Sequence, residues 1–194
     1  MEAASTKAIR RPRADSQRNR EKLLVAAAAV FRETGGEGTL EAVARRATVG
    51  IGTLYRHFPT REALFEAVYR REIDQLAELA RDLEGSGDPV ENLRGFLHAM
   101  VGLIATKKGM IRALAIVLDG SCEITNYSQA TLLSAMQRVH APAIAAGRLR
   151  PDVSAEDVLQ TVVGMCIARR DERWEAAVSR LSDVFLDGLR IDRA

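Results

Sequence analysis

Residues 51–58 read Ile-Gly-Thr-Leu-Tyr-Arg-His-Phe, and their order carries the clearest chemical signal in the chain. On a helix Ile51, Leu54 and Phe58 fall on one face, spaced three and four, and would anchor the segment to its neighbours. The opposite face presents Gly52, Thr53, Arg56 and His57, which is small, polar and cationic. Such a face suits the major groove of a duplex, where small residues permit close approach and hydroxyl or imidazole groups reach phosphates and base edges. Any short amphipathic helix also turns polar residues outward, so this pattern alone leaves both readings open. Other chemistries have less support. There is no Ser-His-Asp arrangement, no metal-ligand spacing and no phosphate-cradling loop; Gly50-Ile51-Gly52 is too short to be one. His98 and His140 belong to no cluster. Cys122 and Cys166 lie far apart with no sign of an activated thiolate, which suits a reducing cytoplasm. No catalytic residue, cofactor or metal is expected.

The elements that must hold residues 51–58 are helical. Apolar residues recur at helical spacing throughout, and no alternating β-branched run is long enough for a strand. The expected fold is all-α with about nine helices. The first runs from about Asn19 to a stop at Gly35-Gly36, burying Leu23, Leu24, Ala27, Val30 and Phe31. Thr39 caps a short second helix through Leu40, Val43, Ala44 and Ala47. After a break at Thr48 to Gly50 comes the third, Ile51 to Phe58, closed by Pro59. Three short helices with that break have the layout of a helix-turn-helix unit.

Thr60 caps a fourth helix that continues to about Glu84, roughly 36 Å of rod at about 1.5 Å per residue, long enough to join two domains. Gly85-Ser86-Gly87 ends it, and Asp88-Pro89-Val90-Glu91 starts a fifth, expected to stop at Lys107-Lys108-Gly109. A sixth segment is expected over Met110 to Leu118. A seventh runs from Thr125 to Ala146, kinked or divided by Pro142. Ser154-Ala155-Glu156-Asp157 opens an eighth, and a ninth spans about Glu172 to Arg190 with Trp174, Val178, Leu181, Phe185 and Leu189 on one stripe. The eighth is apolar over too wide an arc for one core. It faces either a core and a partner subunit, or a core on all sides.

Composition then excludes whole classes. Hydrophobic residues make up 47% of 194, with five prolines, as in a folded globular protein. The longest apolar run, Leu23 to Phe31, has nine residues against the roughly 20 of a membrane span. The basic N-terminus has no apolar segment after its charges, so a secretory signal is not expected. The net charge of +2 is unevenly placed: residues 1–66 hold 12 Lys+Arg and 8 Asp+Glu, giving +4, and the remainder 16 and 18, giving −2. Residues 1–18 alone carry +3 and read as a basic flexible arm that would serve a polyanion or solubility equally well.

The residues Asn19-Arg-Glu-Lys-Leu-Leu-Val-Ala-Ala, then Phe31 and Gly35, then Thr39-Leu-Glu-Ala-Val-Ala, and above all Gly52-Thr-Leu-Tyr-Arg-His-Phe-Pro-Thr-Arg-Glu-Ala-Leu-Phe, resemble the N-terminal signature of TetR-type transcriptional regulators. The likeness is dense over residues 19 to 66. Farther on, Ala146-Gly-Arg-Leu-Arg-Pro-Asp-Val-Ser-Ala-Glu-Asp-Val-Leu is similar to a phrase that precedes the eighth helix of such proteins. The turn departs from the family, which usually has Ala-Gly-Val-Ser where this chain has Ala47-Thr48-Val49-Gly50. Thr48 would then meet a positive φ at a cost, and Gly50 forgoes a side-chain cap.

The resemblance implies a helix-turn-helix domain over 19–66 and an effector-binding and dimerisation domain over 67–194. It implies that Ile51 to Phe58 is the recognition helix, with Thr53, Tyr55 and His57 near the DNA backbone. Thr39 and Arg61 would touch phosphates, Arg45 would reach the groove, and Thr48, Val49, Gly50, Ile51 and Gly52 complete the interface. Tyr55 also lies at the edge of the buried stripe and could serve as core. A pocket is expected among Met100, Ile104, Met110, Leu114, Met136 and Met165, whose flexible side chains suit apolar effectors but equally suit a core. The implied function is a sequence-specific regulator, a repressor released from double-stranded operator DNA by a small molecule. It would act as a homodimer through helices near 154–168 and 172–190, in the cytoplasm and on the nucleoid when bound. An activator, or an all-α enzyme or carrier on the same fold, are the alternatives.

Overall fold

The computed structural model describes residues 7–34, 37–114, 123–169 and 173–191; for 7–13, 109–114 and 123–125 it describes the backbone alone. Eight α-helices cover these residues: α1 (Lys7–Glu33), α2 (Leu40–Ala47), α3 (Ile51–His57), α4 (Arg61–Leu83), α5 (Pro89–Leu114), α6 (Glu123–Ala145), α7 (Ala155–Ala168) and α8 (Trp174–Gly188). The fold is all-α; the one β-type pairing among the described residues is an isolated bridge between Leu149 and Arg190. No helix of the described residues is long and apolar enough to cross a membrane.

Four of the eight helix starts follow from side-chain caps. The Thr39 hydroxyl accepts from the Ala42 N–H at 3.1 Å and that of Thr60 from Ala63 at 3.1 Å. The Asp88 carboxylate accepts from Val90 at 2.9 Å and Glu91 at 3.2 Å, which holds its pKa below the usual carboxylate value. Ser154 and Asp157 cap each other reciprocally: the Ser154 hydroxyl accepts from the Asp157 N–H at 3.1 Å, and the Asp157 carboxylate accepts from the Ser154 N–H at 2.9 Å. These groups satisfy N–H donors that the first helical turn leaves unpaired.

Three boundaries differ from expectation. Helix α1 begins at Lys7, so residues 7–18, expected as a flexible arm, are helical as far as they are described. Four of these twelve residues are Arg and two are Ala, good helix formers, and Asp15 and Arg18 pair at 3.7 Å one turn apart. Helix α5 passes through Lys107-Lys108-Gly109 to Leu114, because a single interior glycine costs only about 1 kcal/mol relative to alanine, too little to stop a helix flanked by Met, Ala and Leu. The expected sixth helix is thus, over 110–114, the end of α5; residues 115–118 lie outside the described residues. Pro142 does not divide α6. It stands three residues before the end of the helix, so its missing N–H removes a single bond, to Arg138. Gly147, at φ +63°, then stops the chain as the Arg148 N–H reaches back to the Ala143 carbonyl at 3.0 Å. The expected stop at Gly35-Gly36 lies outside the described residues.

By compactness the chain forms two units, Met1–Arg71 with Lys108–Ile116, and Glu72–Lys107 with Val117–Ala194. In the first, Leu23, Leu24, Ala27, Val30 and Phe31 of α1 pack with Val43, Ala44, Leu54, Phe58, Leu64, Phe65 and Val68, all buried. Phe31 and Phe65 meet at 4.3 Å between ring centroids. Gly38 has no room for a side chain: a Cβ there would lie 2.2 Å from Val30 Cγ1, and its N–H donates to the Thr34 hydroxyl at 2.8 Å.

In the second unit Phe96, Leu97, Met100, Met136, Val158, Val162, Val178 and Leu186 are buried. Arg94 of α5 binds Asp183 at 2.9 Å and Asp187 at 2.6 Å on α8, while His98 also meets Asp183, at 2.8 Å. Arg138 reaches Glu84 at 2.9 Å, and the Tyr127 hydroxyl donates to Asp74.

Candidate nucleic-acid interface

Helix α3 is held by a narrow seam. Leu54 is wholly buried and Phe58 nearly so, whereas Ile51 is 39% exposed and Tyr55 46% exposed. Ile51 was expected in the seam. Helical side chains lean toward the N-terminus, so at the first residue of a helix the side chain projects off its end into solvent. Tyr55 stands outside the core rather than in it. Thr53 and His57 are half-buried, and Gly52 and Arg56 are exposed. A Cβ built on Gly52 meets nothing within 4 Å, so neither packing nor backbone strain demands glycine there. What its small size leaves is clear space above the helix.

The turn before α3 has the geometry its unusual residues foretell. Thr48 caps α2 at φ 54°, ψ 41°, the sole non-glycine with positive φ among the described residues. Its N–H bonds to the Arg45 carbonyl at 3.2 Å, and that of Val49 to Ala44 at 3.0 Å, which closes the end of α2. A β-branched residue in this region carries strain that glycine would not. Gly50 precedes α3 with extended backbone and no side-chain cap; its carbonyl accepts from the Thr53 N–H at 2.9 Å.

Around these elements the cations are mostly tied down. Arg61, at the start of α4, lies over the rings of Phe31 and Phe65 at 5.7 and 5.2 Å, and Arg20 lies over Phe58 at 5.3 Å. Each contact fixes a guanidinium against the aromatic core by cation–π attraction. Arg46 pairs with Glu33 at 2.6 Å, and Arg71 with Glu21 at 2.6 Å. Thr39 and Arg45 stand exposed at opposite ends of α2, and Val49 is half-buried. Gly38 carries no motif of its own, and no sequence spacing announces the ring contacts of Arg20 and Arg61, which depend on Phe31, Phe58 and Phe65 meeting them in space.

The expected effector residues are more dispersed. Met100 and Met136 are buried, Ile104 and Met165 half-buried, and for Met110 and Leu114 the side chains lie outside the described residues. A cavity of about 580 Å³ runs beside Arg18, Lys22, Val25, Arg46 and Thr48. Another of about 210 Å³ lies between Gly85, Asn92, Arg138 and Pro142. Neither is lined by the four methionine and isoleucine side chains described. His140 is buried, and burial lowers its pKa. Cys166 is buried, and Cys122 lies outside the described residues. No group of three His, Cys, Asp or Glu among the described residues could hold a metal.

Comparison with known proteins gives the assembly of these elements a family. Residues 23–68 match the profile of bacterial regulatory proteins of the tetR family, and residues 88–191 that of the SbtR-like transcriptional regulator C-terminal domain. A crystal structure of a TetR transcriptional regulator from Streptomyces coelicolor is 37% identical, with 90% of this chain and 99% of that one covered at a TM-score of 0.78. A TetR regulatory protein from Mycobacterium vanbaalenii is 33% identical, with 92% and 99% covered at 0.71. The HTH-type transcriptional repressor KstR of Mycolicibacterium smegmatis is 34% identical over 82 residues, a match spanning 41% of this chain and 40% of that repressor. With both segments matched and two solved relatives covered almost end to end, the chain belongs to the TetR family of transcriptional regulators.

Proposed function

We propose that this regulator represses transcription by binding double-stranded operator DNA as a homodimer, and that a small-molecule effector releases it. The observation that carries the reading is the outward face of α3: polar and cationic, with open space at Gly52. On this reading residues 19–66 form the DNA-binding domain and 67–194 the effector and dimerisation domain. Thr53, Tyr55 and His57 meet phosphates, as do Thr39 and Arg61, while Arg45 and residues 48–52 border the groove. The arginine ring contacts would place Arg61 as a pre-positioned cation that gives up little side-chain freedom on binding.

Dimerisation through 154–168 and 172–190 is supported by the faces α7 and α8 leave uncovered. Ile167 is 65% exposed, Val184 69% and Leu181 42%, with Val163 and Phe185 half-exposed. The stripe expected on the last helix is offset accordingly: Ala177, Val178, Ser182 and Leu186 are its buried line, and Leu181 turns outward. Exposed aliphatic side chains in succession on two neighbouring helices suit a second apolar surface.

A two-fold dimer would present two α3 helices about one turn of DNA apart, roughly 34 Å. An effector that prefers a state with other spacing would weaken binding by the coupling energy, about 1–3 kcal/mol, or roughly 5- to 150-fold. Met100, Ile104, Met110, Leu114, Met136 and Met165 are the proposed pocket residues. A mobility shift on the DNA flanking the gene, at stated salt, tests the reading. A specific complex that weakens steeply with salt is expected; absence of any specific complex there or on selected duplexes would remove it.

A further inference from the structure

Among the described residues of the first unit, Arg56 shares with Lys22 and Arg45 the lack of an ion pair or an aromatic ring beneath it, and it is the one of the three that lies on α3. Arg46 and Arg71 are in ion pairs, Arg20 and Arg61 lie on aromatic rings, and Arg70 and Arg18 reach Glu66 and Asp15 at 3.7 Å. Arg56 is exposed and, among the described residues, has neither kind of partner. Its place on α3 is equally distinct. At about 100° per residue, Arg56 lies close to diametrically opposite the seam made by Leu54 and Phe58. Thr53 and His57 flank it on one side, Ile51 and Tyr55 on the other. Gly52, one turn earlier, shares its line, and a long helical side chain leans toward the turn before it. That turn carries no side chain at Gly52, and beyond its chain neighbours and the backbone of α3 itself nothing comes within 4 Å of where its Cβ would be.

We propose that Arg56 is a sequence-reading residue: lying over the bare Gly52 turn on the centre line of α3, it reaches the floor of the major groove and hydrogen-bonds the O6 and N7 of a guanine in each half-site. The inference rests on the DNA-binding reading above. Residues to either side of the centre line meet the walls of the groove, where phosphates lie, whereas the centre line meets base edges. A guanidinium presents parallel donors that match the paired acceptors of guanine, and no other base offers that pair in the major groove. Gly52 serves the same end by letting the backbone approach.

The test is selection of binding duplexes from a randomised pool by the full-length protein and by Arg56→Ala, followed by affinity measurements on the selected duplex with guanine or 7-deazaguanine at each G position. Wild type should enrich an inverted repeat with one fixed G per half-site, and deaza substitution at that G should weaken its binding. Arg56→Ala should relax that position alone, so that wild-type preference for G there, roughly 5- to 150-fold, disappears. Arg56→Lys should keep overall affinity but lose much of the preference. Circular dichroism reports whether each variant folds; Arg56→Gln, which keeps the first three side-chain carbons without the guanidinium, substitutes if Arg56→Ala does not. Uniform weakening of Arg56→Ala across all sequences, with the same selected site, would overturn the proposal in favour of a phosphate contact. Unchanged binding would overturn it as well. If wild type enriches no sequence at all, the DNA-binding reading fails first.

Discussion

The α3 face and the α7–α8 face are both left uncovered, but in opposite chemistries. On α3 the exposed residues are Ile51, Gly52, Tyr55 and Arg56, with Thr53 and His57 half-buried; on α7 and α8 the exposed large apolar residues are Ile167, Leu181 and Val184. A cationic face with no bulk at its centre gains from a polyanion, whose counterions it displaces, so its partner is lost as salt rises. An aliphatic face gains from leaving water, which salt does not weaken. On the proposed function, the contrast teaches that one small regulator would hold two partners at once because the two associations answer to different forces.

The largest expected effect comes from breaking the apolar face. Ile167→Glu with Val184→Glu should yield a monomer by sedimentation and reduce affinity for a paired site on the order of 10²–10⁴-fold, because the second half-site no longer binds intramolecularly. A dimer that persists would show that another surface pairs the subunits. Next, Gly52→Leu puts bulk over α3 at a position where a Cβ meets no neighbouring group within 4 Å. The variant should melt no lower than wild type, since leucine gains up to about 1 kcal/mol of helix propensity. Its DNA affinity should nevertheless fall more than about tenfold. Retained binding would mean that α3 does not approach the groove closely.

A smaller effect isolates the turn between α2 and α3. Thr48→Gly removes a left-handed strain of about 1–2 kcal/mol and adds about 0.5–1 kcal/mol of unfolded-chain entropy. Denaturant unfolding should show a net gain of roughly 0.5–1 kcal/mol. A loss would mean that the threonine side chain contributes more than its backbone costs.

The smallest lies at His140, whose Nε2 is buried without a hydrogen-bond partner among the described residues and whose pKa is held below 6.5 by desolvation. A folded value below the unfolded one stabilises the protein in full above about pH 6.5, and that stability is lost as pH falls through the lowered value. The melting temperature should therefore decline on acidification from pH 7 more steeply in wild type than in His140→Leu; equal slopes would contradict the assignment.

Much of this was legible in the chain because it depends on neighbours in sequence. The caps at Thr39, Thr60, Asp88 and Ser154 are local hydrogen bonds, and the positive φ of Thr48 follows from where α2 must stop. What escaped depends on distance in space or on small balances of energy. Gly109 and Pro142 look like breaks, yet each removes too little to end its helix. Ile51 fits the buried seam by angle, but its position at the very start of α3 puts it in water. Arg61 reads as a free cation until Phe31 and Phe65 are seen beneath it. The need for glycine at position 38 comes from Val30, eight residues earlier, and no spacing rule announces it.

The most direct test of the central claim is a hydroxyl-radical footprint of the full-length protein on its selected duplex, repeated at rising salt. The account predicts two protected patches related by a two-fold axis, with centres about one helical turn apart, roughly 34 Å, fading together as salt rises. A single patch, or protection indifferent to salt, would contradict it.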